Sequence, residues 1–485
     1  MSENTTKKKS IGLIIGLILM LAAEVVFLFS LMSLDVLPGK YVALVVTLLV
    51  VIDAIVVVLL LKGSGKKSFS IIGIVICLIM ILGMAFGTYY AYNTYVTLAK
   101  ISEYKAHWED YDVIVAKDSI YKDASDIKGM TVYAFDNQSK MYTEAKEKLI
   151  TKSDVNYELL EDCDKVGQMI VGNDGKITDN VIFISDNNYQ MLCDADKVWK
   201  KETQPLFTIR VAKRDNDNRE QIDVTKDPFN ICISGIDMWG SIDQVSRSDV
   251  NMIVTVNPQT HEILLSSVPR DSYVTLHSFQ QLDKLTHSGV YGIDETVTTM
   301  EDWLDIDISR YVRVDFSMLV DIVNAIGGVD VYSDYEFKSS ISHWKYKKGW
   351  NYLTGKKALY FVRERHAFED EDQQRIKNQQ KVMKACIKKM TTSKALLTKY
   401  TDILKAVDGE METNISEKEM AALVKMQLNE MPKWKIRTQS VQGDLTMKGT
   451  YSMGFGRDLL VSIPREESVQ EVSDNIHKTL YPIDK

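Results

Sequence analysis

The sequence predicts an α/β protein carried on three membrane-spanning helices. Three observations lead there. Long apolar runs at residues 11–31, 41–61 and 71–92 fill the first hundred positions. Beyond them, short β-branched runs alternate with helical patterns, the arrangement of a sheet covered by helices. The composition, 45% hydrophobic and 26% charged over 485 residues, is that of a folded chain.

Each apolar run supplies the roughly 20 residues that a helix needs to cross a bilayer. A cleaved signal peptide has an apolar core of only about 7–15 residues and does not repeat. Lys7, Lys8 and Lys9 precede the first run, and Lys62, Lys66 and Lys67 separate the second from the third. The loop between the first two holds only Lys40 and Asp35. The positive-inside rule places the N-terminus in the cytoplasm and everything after about residue 95 outside it. The glycine-rich stretch 63–68 lacks the spacing and the preceding strand of a phosphate loop, so it reads as a short cytoplasmic turn. Glu24 and Asp53 fall inside the first two spans. Such acids either contact a membrane partner or lipid carrier, or share a proton inside the bundle.

The exported part reads as two regions. In residues 98–215, strands are expected at 111–116, 130–135 and 180–184, and helices at 141–149 and 188–193. They form a small α/β or α+β accessory domain. The polar stretch 213–226 is the expected linker. In residues 216–485, strands are expected at 230–236, 250–256, 263–268 and 329–332, with a late strand at 456–464. An apolar helix at 316–326 stops at Gly327-Gly328, and a long helix spans 372–389. Ser416 and Glu419 form a capping box before a helix at 420–431.

Five cysteines exclude a disulfide scaffold or a Cys-rich zinc module. Those beyond the spans are widely spaced and expected to be buried free thiols. The formal net charge of −8 argues against a nucleic-acid partner. No zinc-protease helix or nucleophile elbow is present. His287 and His366 read as structural or surface histidines.

The placement of arginine is more informative than the charge. All 13 lie at or beyond Arg210. Arg270 follows a buried strand directly. Arg363 and Arg365 are two apart, so an extended segment would face both the same way. Arg375 and Gln379 share a helix face, with Asp372 three residues before Arg375. Guanidinium forks suit phosphate oxygens, so these arginines converging on one site would bind a pyrophosphate. Arg270 could instead form a structural pair with Asp271. Arg310, Arg313, Arg437, Arg457 and Arg465 read as surface charge. Asp237 and Asp249 bracket a loop at strand ends, where they suit a hard divalent cation or serve as ordinary loop acids.

These residues carry a resemblance. Ile233-Ser-Gly-Ile-Asp237, Arg247-Ser-Asp249, Ser267-Val-Pro-Arg-Asp271, Asp283-Lys-Leu-Thr-His287, Gly327-Gly-Val-Asp-Val331 and Arg363-Glu-Arg365 followed by Asp372-Gln-Gln-Arg375 occur in order. Together they resemble the LytR-CpsA-Psr family over residues 227–390, and the three spans resemble its CpsA subgroup from capsule loci of Gram-positive bacteria. The 316–326 helix by itself reads as a core-packing helix or the lining of an apolar groove; the resemblance implies an α/β/α layered domain with a lipid tunnel, which that helix would then face. It implies a phosphotransferase moving a capsular or related glycopolymer from polyprenyl-pyrophosphate to peptidoglycan. By motif match, Asp237 and Asp249 would hold Mg²⁺ or Mn²⁺. Arg270, Lys284, Arg363, Arg365, Arg375 and Gln379 would grip the pyrophosphate. Asp249 and Arg270 would be catalytic. Asn378 departs from the pattern at a position for a second Arg. Two other readings stay open: a non-enzymatic membrane regulator contacting capsule-biosynthesis proteins, and a pyrophosphatase acting on the lipid carrier.

Overall fold

A computed structural model describes the whole chain except residues 1, 63–66, 103–106, 136–139, 173–174, 214–221, 237–245, 408–410 and 483–485. The three apolar runs form helices Ser2–Leu34, Gly39–Lys62 and Lys67–Ser102. Their stretches Ile15–Leu34, Gly39–Leu61 and Ser68–Leu98 are long and apolar enough to cross a membrane. Most of their large side chains face outward, as a lipid solvent requires. Met20, Val56 and Met84 pack inward instead, and Glu24 is buried and meets Asp53 of the second span.

The 98–215 region forms a five-stranded sheet in the order Asn156–Leu160, Thr131–Phe135, Val181–Ser185, His107–Ala116, Thr203–Lys213. The first three strands run parallel and the last two antiparallel. Sequence reading missed two of these. Asn156–Leu160 is mostly exposed and carries no apolar alternation, and Thr203–Lys213 begins among polar residues. The linker expected at 213–226 lies largely outside the described residues, but its first position, Lys213, is still paired in the sheet.

The larger region is built on a six-stranded sheet. Its order is Met411–Thr413, Arg310–Val314, Phe229–Gly235, Val250–Asn257, Glu262–Val268, Lys435–Ser440. Strand alternation divides the apolar side chains between two faces. Cys232, Ile253 and Leu264 pack under helices Ile293–Leu304 and Glu466–Leu480, through Val297, Met300, Val472 and Ile476. Met252, Val254, Ile263 and Leu265 face helices Glu371–Met390 and Glu417–Glu430, through Met383, Ile387 and Leu423. The result is the expected helix–sheet–helix sandwich. The capping box of Ser416 and Glu419 starts the second of those helices.

The expected late strand is observed as Gly454–Pro464 and lies outside the large sheet. It pairs antiparallel with Gly443–Thr450 as a separate hairpin. The hairpin's Met453, Tyr451 and Leu459 enter the accessory domain's core beside Cys163, Val166 and Trp199. Arg310 and Arg313 are not surface charges. They are buried and pair with Glu419 and Glu412, because the short strand Met411–Thr413 and the following helix cover that sheet edge. The five cysteines are free thiols, four of them buried.

The third span reaches the large domain directly. Leu98 is buried in one cluster with Ile322, Leu404, Ala406 and Val407, edged by Leu34. Lys425 pairs with Asp35 at 2.6 Å, and Lys40 donates to the Asn429 carbonyl at 2.7 Å.

Candidate functional site

Asp249 stands immediately before strand Val250–Asn257, and Arg270 lies two residues after its neighbour Glu262–Val268. The strands are antiparallel, with Asn251 opposite Val268, so both side chains arise at one end of the sheet. Arg270 Nη1 donates to Asp249 Oδ1 at 2.9 Å. Thr286 Oγ1 donates to the same oxygen at 3.0 Å.

The backbone around Asp249 is held from three sides. Its N–H bonds the Gly235 carbonyl at 2.8 Å, and the Ser248 N–H bonds the Thr286 carbonyl at 3.0 Å. Ser248 Oγ contacts Ser234 Oγ at 2.7 Å and donates to Asn251 Oδ1 at 2.6 Å. Gly289 lies so close that a Cβ there would stand 2.5 Å from the Ser248 nitrogen.

Asp271 is not the main partner of Arg270, from which it is 3.7 Å away. It pairs with Lys284 instead. Burial alone would raise the Asp271 pKa, but Lys284, Arg270 and Arg375 outweigh it and hold the carboxyl below its ordinary range.

Helix Glu371–Met390 brings in the remaining groups. Arg375 is buried and contacts Asp372 at 2.8 Å. Arg365 lies 3.4 Å from the same carboxylate oxygen. Burial, then the like charges of Arg270 and Arg365, pull the Arg375 pKa below its ordinary value despite Asp372. Burial also works against the charge of Arg270, but Asp249 and Asp271 more than restore it. The Nε atoms of Arg270, Arg365 and Arg375 are all buried and have no hydrogen-bond partner among the described residues. Arg270 Nε faces Asp271 at 3.7 Å and Arg365 Nε faces Asp372 at 3.4 Å, so an oxyanion entering this cluster would meet three guanidinium groups already oriented by carboxylates.

The expected extended geometry for Arg363 and Arg365 is corrected. Arg363 is the last residue of helix Gly355–Arg363, and only Glu364 turns extended. The two side chains therefore diverge. Arg363 lies 4.2 Å over the Phe316 ring. Phe316 opens the apolar helix, whose first turn, Phe316 to Leu319, is only half-buried. Gln379 is half-buried one turn beyond Arg375. Asn378 turns elsewhere: it is buried, accepts from Gln374 and donates to the Phe361 carbonyl. Asp237 lies outside the described residues.

Sequence reasoning missed the Asp271–Lys284 pair, Thr286 and Phe316. Thr286 sits inside a quoted motif, but nothing about a lone threonine marks an Asp partner 37 positions away. His287 proves structural: its Nδ1 meets buried Asp283 at 2.6 Å.

Comparison with known proteins decides the lineage. Residues 198–474, more than half the chain, match the LytR_cpsA_psr family. The chain belongs to that family. It is 36% identical over 212 residues to the polyisoprenyl-teichoic acid–peptidoglycan teichoic acid transferase TagU of Bacillus cereus, covering 43% of this chain and 68% of that one. It is 34% identical over 240 residues to the corresponding transferase TagV of Bacillus subtilis, covering 48% of this chain and 61% of that one. Among solved structures, B. subtilis TagV aligns with TM-score 0.45 and 29% identity, covering 53% of this chain and 99% of that one. TagT bound to LI-WTA aligns with TM-score 0.43 and 26% identity, covering 54% and 95%.

Proposed function

We propose that this family member transfers a cell-envelope glycopolymer, capsular or related, from a polyprenyl-pyrophosphate carrier to a hydroxyl of peptidoglycan. The observation that carries the reading is the cluster of buried Arg375 with half-buried Arg270 and Arg365, whose Nε atoms make no hydrogen bond among the described residues, beside Asp249. It matches the charge of a pyrophosphate, and the relatives TagU and TagV are named for a transfer of this class.

The acceptor oxygen attacks the phosphorus that bears the polymer. The bridging P–O bond breaks, and polyprenyl monophosphate leaves with the bridging oxygen. The acceptor's proton is lost, and Asp249 is the carboxylate best placed to receive it. Arg270, Arg365 and Arg375 neutralise the charge that accumulates on the phosphoryl oxygens, with Lys284 and Gln379 at the margin. Such transfer needs positioning and charge neutralisation rather than a covalent nucleophile. Arg363 over Phe316 marks the passage from the charged site to the apolar helix, where the prenyl chain would lie.

Among the described residues no three acids or histidines cluster to hold a metal. A Mg²⁺ shared with substrate phosphates needs only one or two protein carboxylates, so the hard oxygen of Asp249 fits it, with Asp237 as the proposed second ligand. When bound, the ion would supply further neutralisation of the phosphate charge. In this reading the spans set the site at the outer membrane face.

The test is turnover by the full chain in detergent, with Mg²⁺, a polyprenyl-pyrophosphate-linked saccharide and a peptidoglycan acceptor. Release of polyprenyl monophosphate that requires the acceptor supports transfer. Equal release without acceptor supports the pyrophosphatase reading. Absence of binding and turnover, with wall-attached polymer unchanged in Arg270→Ala cells, sinks both.

A further inference from the structure

A second basic, acid-free stretch lies outside the arginine cluster. Between Phe337 and Lys357 there are six lysines and no Asp or Glu, in a chain of net charge −8. The stretch forms strands Phe337–Lys338, Lys345–Tyr346 and Gly349–Leu353, the last paired with Val329–Ser333. Lys338 stands directly opposite Lys345 in its ladder. Like charges in that position oppose pairing unless something anionic lies across them. Lys338, Lys345, Lys347, Lys348 and Lys356 are exposed, and among the described residues none forms an ion pair. Three acids precede the stretch: Asp330 shares the outward face of strand Val329–Ser333, Asp334 is taken by Lys381, and Glu336 is exposed.

The same ribbon exposes aromatic rings. Strand alternation sends Val329, Val331 and Leu353 inward and Tyr332, Trp350 and Tyr352 outward. Those three are 43%, 64% and 55% exposed. Tyr332 and Trp350 are cross-strand partners with ring centroids 5.6 Å apart. Rings on a rigid ribbon, flanked by lysines, present flat apolar faces and cations together.

The ribbon is joined to the site. The Ser340 N–H and hydroxyl donate to Glu364 at 2.6 and 2.9 Å, and Glu364 separates Arg363 from Arg365. The outer end of the third span packs instead on Ser393–Val407, Met411–Thr413 and Glu417–Glu430. This attachment favours an occupant that emerges from the arginine site over one that lies in the bilayer.

We propose that the ribbon binds the polymer moiety of the substrate, and that this polymer is a polyanionic glycan. Its anionic groups meet the lysines and its sugar rings stack on Trp350 and Tyr332. The proposal rests on the transferase reading above and narrows its substrate class.

The experiment uses the full chain in neutral detergent micelles. Three probes are compared: poly(glycerol phosphate), polygalacturonate and neutral dextran. Both polyanions should bind more tightly than dextran, and salt should weaken them. The triple variant K345E/K347E/K348E should lose about tenfold toward both polyanions. W350A/Y332A should weaken polygalacturonate and leave poly(glycerol phosphate), which has no sugar rings, unchanged. Affinity for polyprenyl pyrophosphate should not change in either variant, which certifies the fold. Wild-type affinity in the lysine variant, or dextran bound as tightly as the polyanions, overturns the proposal. So does quenching by brominated lipids, in nanodiscs, that disappears in Trp350→Phe, since it would put the ribbon in the membrane. Loss of polyprenyl-pyrophosphate binding in the wild-type chain would instead count against the transferase reading.

Discussion

The Ser452 backbone N–H donates to Asp283 Oδ2 at 2.8 Å, and its hydroxyl bonds the same oxygen. This contact joins the tip of the Gly443–Pro464 hairpin to the segment that carries Lys284 and Thr286 into the site. The hairpin is in turn held by the accessory domain, through Arg457 to Asp164 at 2.9 Å. A second link runs from Arg247, two residues before Asp249, to Asp194 at 2.8 Å. The accessory domain therefore braces two of the segments that form the site.

Asp283 is fully buried and also meets His287, so removing its charge leaves several donors unpaired. Asp283→Ala should cost about 3–5 kcal/mol of stability, read as a fall in the unfolding midpoint. Arg457→Ala is milder because that side chain is partly exposed. It should spare the fold while weakening polyprenyl-pyrophosphate binding, as Lys284 and Thr286 lose their support. Unchanged binding in Arg457→Ala would mean that the brace does not reach the site.

Arg375 is the most buried of the site arginines, and its Nε has no partner among the described residues. Arg375→Ala should lower affinity for polyprenyl pyrophosphate by about 2–5 kcal/mol in titration calorimetry. Arg375→Lys should recover only part of this, since an ammonium lacks the planar fork. Full recovery by lysine would show that charge alone matters there.

Gly289 tests the backbone around Asp249. A methyl group would meet the Ser248 nitrogen at 2.5 Å and the Ser246 carbonyl oxygen at 2.6 Å, and backbone atoms cannot rotate aside. Gly289→Ala should displace the Asp249 segment. Turnover should fall by at least about tenfold, with a stability cost of about 1–3 kcal/mol. Wild-type turnover would show that Asp249 tolerates the shift.

Asp112 offers a pH test in the accessory domain. Burial, followed by the nearby acids Asp186 and Asp110, pushes its pKa up to about 6, against the hydrogen bond from Thr208. A carboxyl whose folded pKa exceeds its unfolded value near 4 destabilises the fold progressively as pH rises from the lower value to the higher. Asp112→Asn, which can keep the Thr208 bond, should stabilise the chain by about 1–3 kcal/mol at pH 7.5. The gain should vanish near pH 4. A gain that is independent of pH would assign it to packing instead.

The sequence by itself determined the elements whose information is local. The spans are legible because hydrocarbon demands unbroken apolar length, and the three central strands of the large sheet because they are apolar runs; its strands Arg310–Val314, Met411–Thr413 and Lys435–Ser440 carry no such run and were missed. The positions of Asp249 and Arg270 at strand ends, and of Arg375 on a helix, were also legible from local pattern. Tertiary structure decided what depends on distant partners. It set Arg363 on Phe316 rather than beside Arg365, because the preceding helix runs on through residue 363. It buried Arg310 and Arg313 by covering the sheet edge with a strand about a hundred residues away. It sent the Gly454–Pro464 strand into a hairpin shared with the accessory domain, and with it the support of Asp283. Periodicity reports which face of an element is apolar. It cannot report which distant element will cover that face, and the ion pairs of this site follow from that choice.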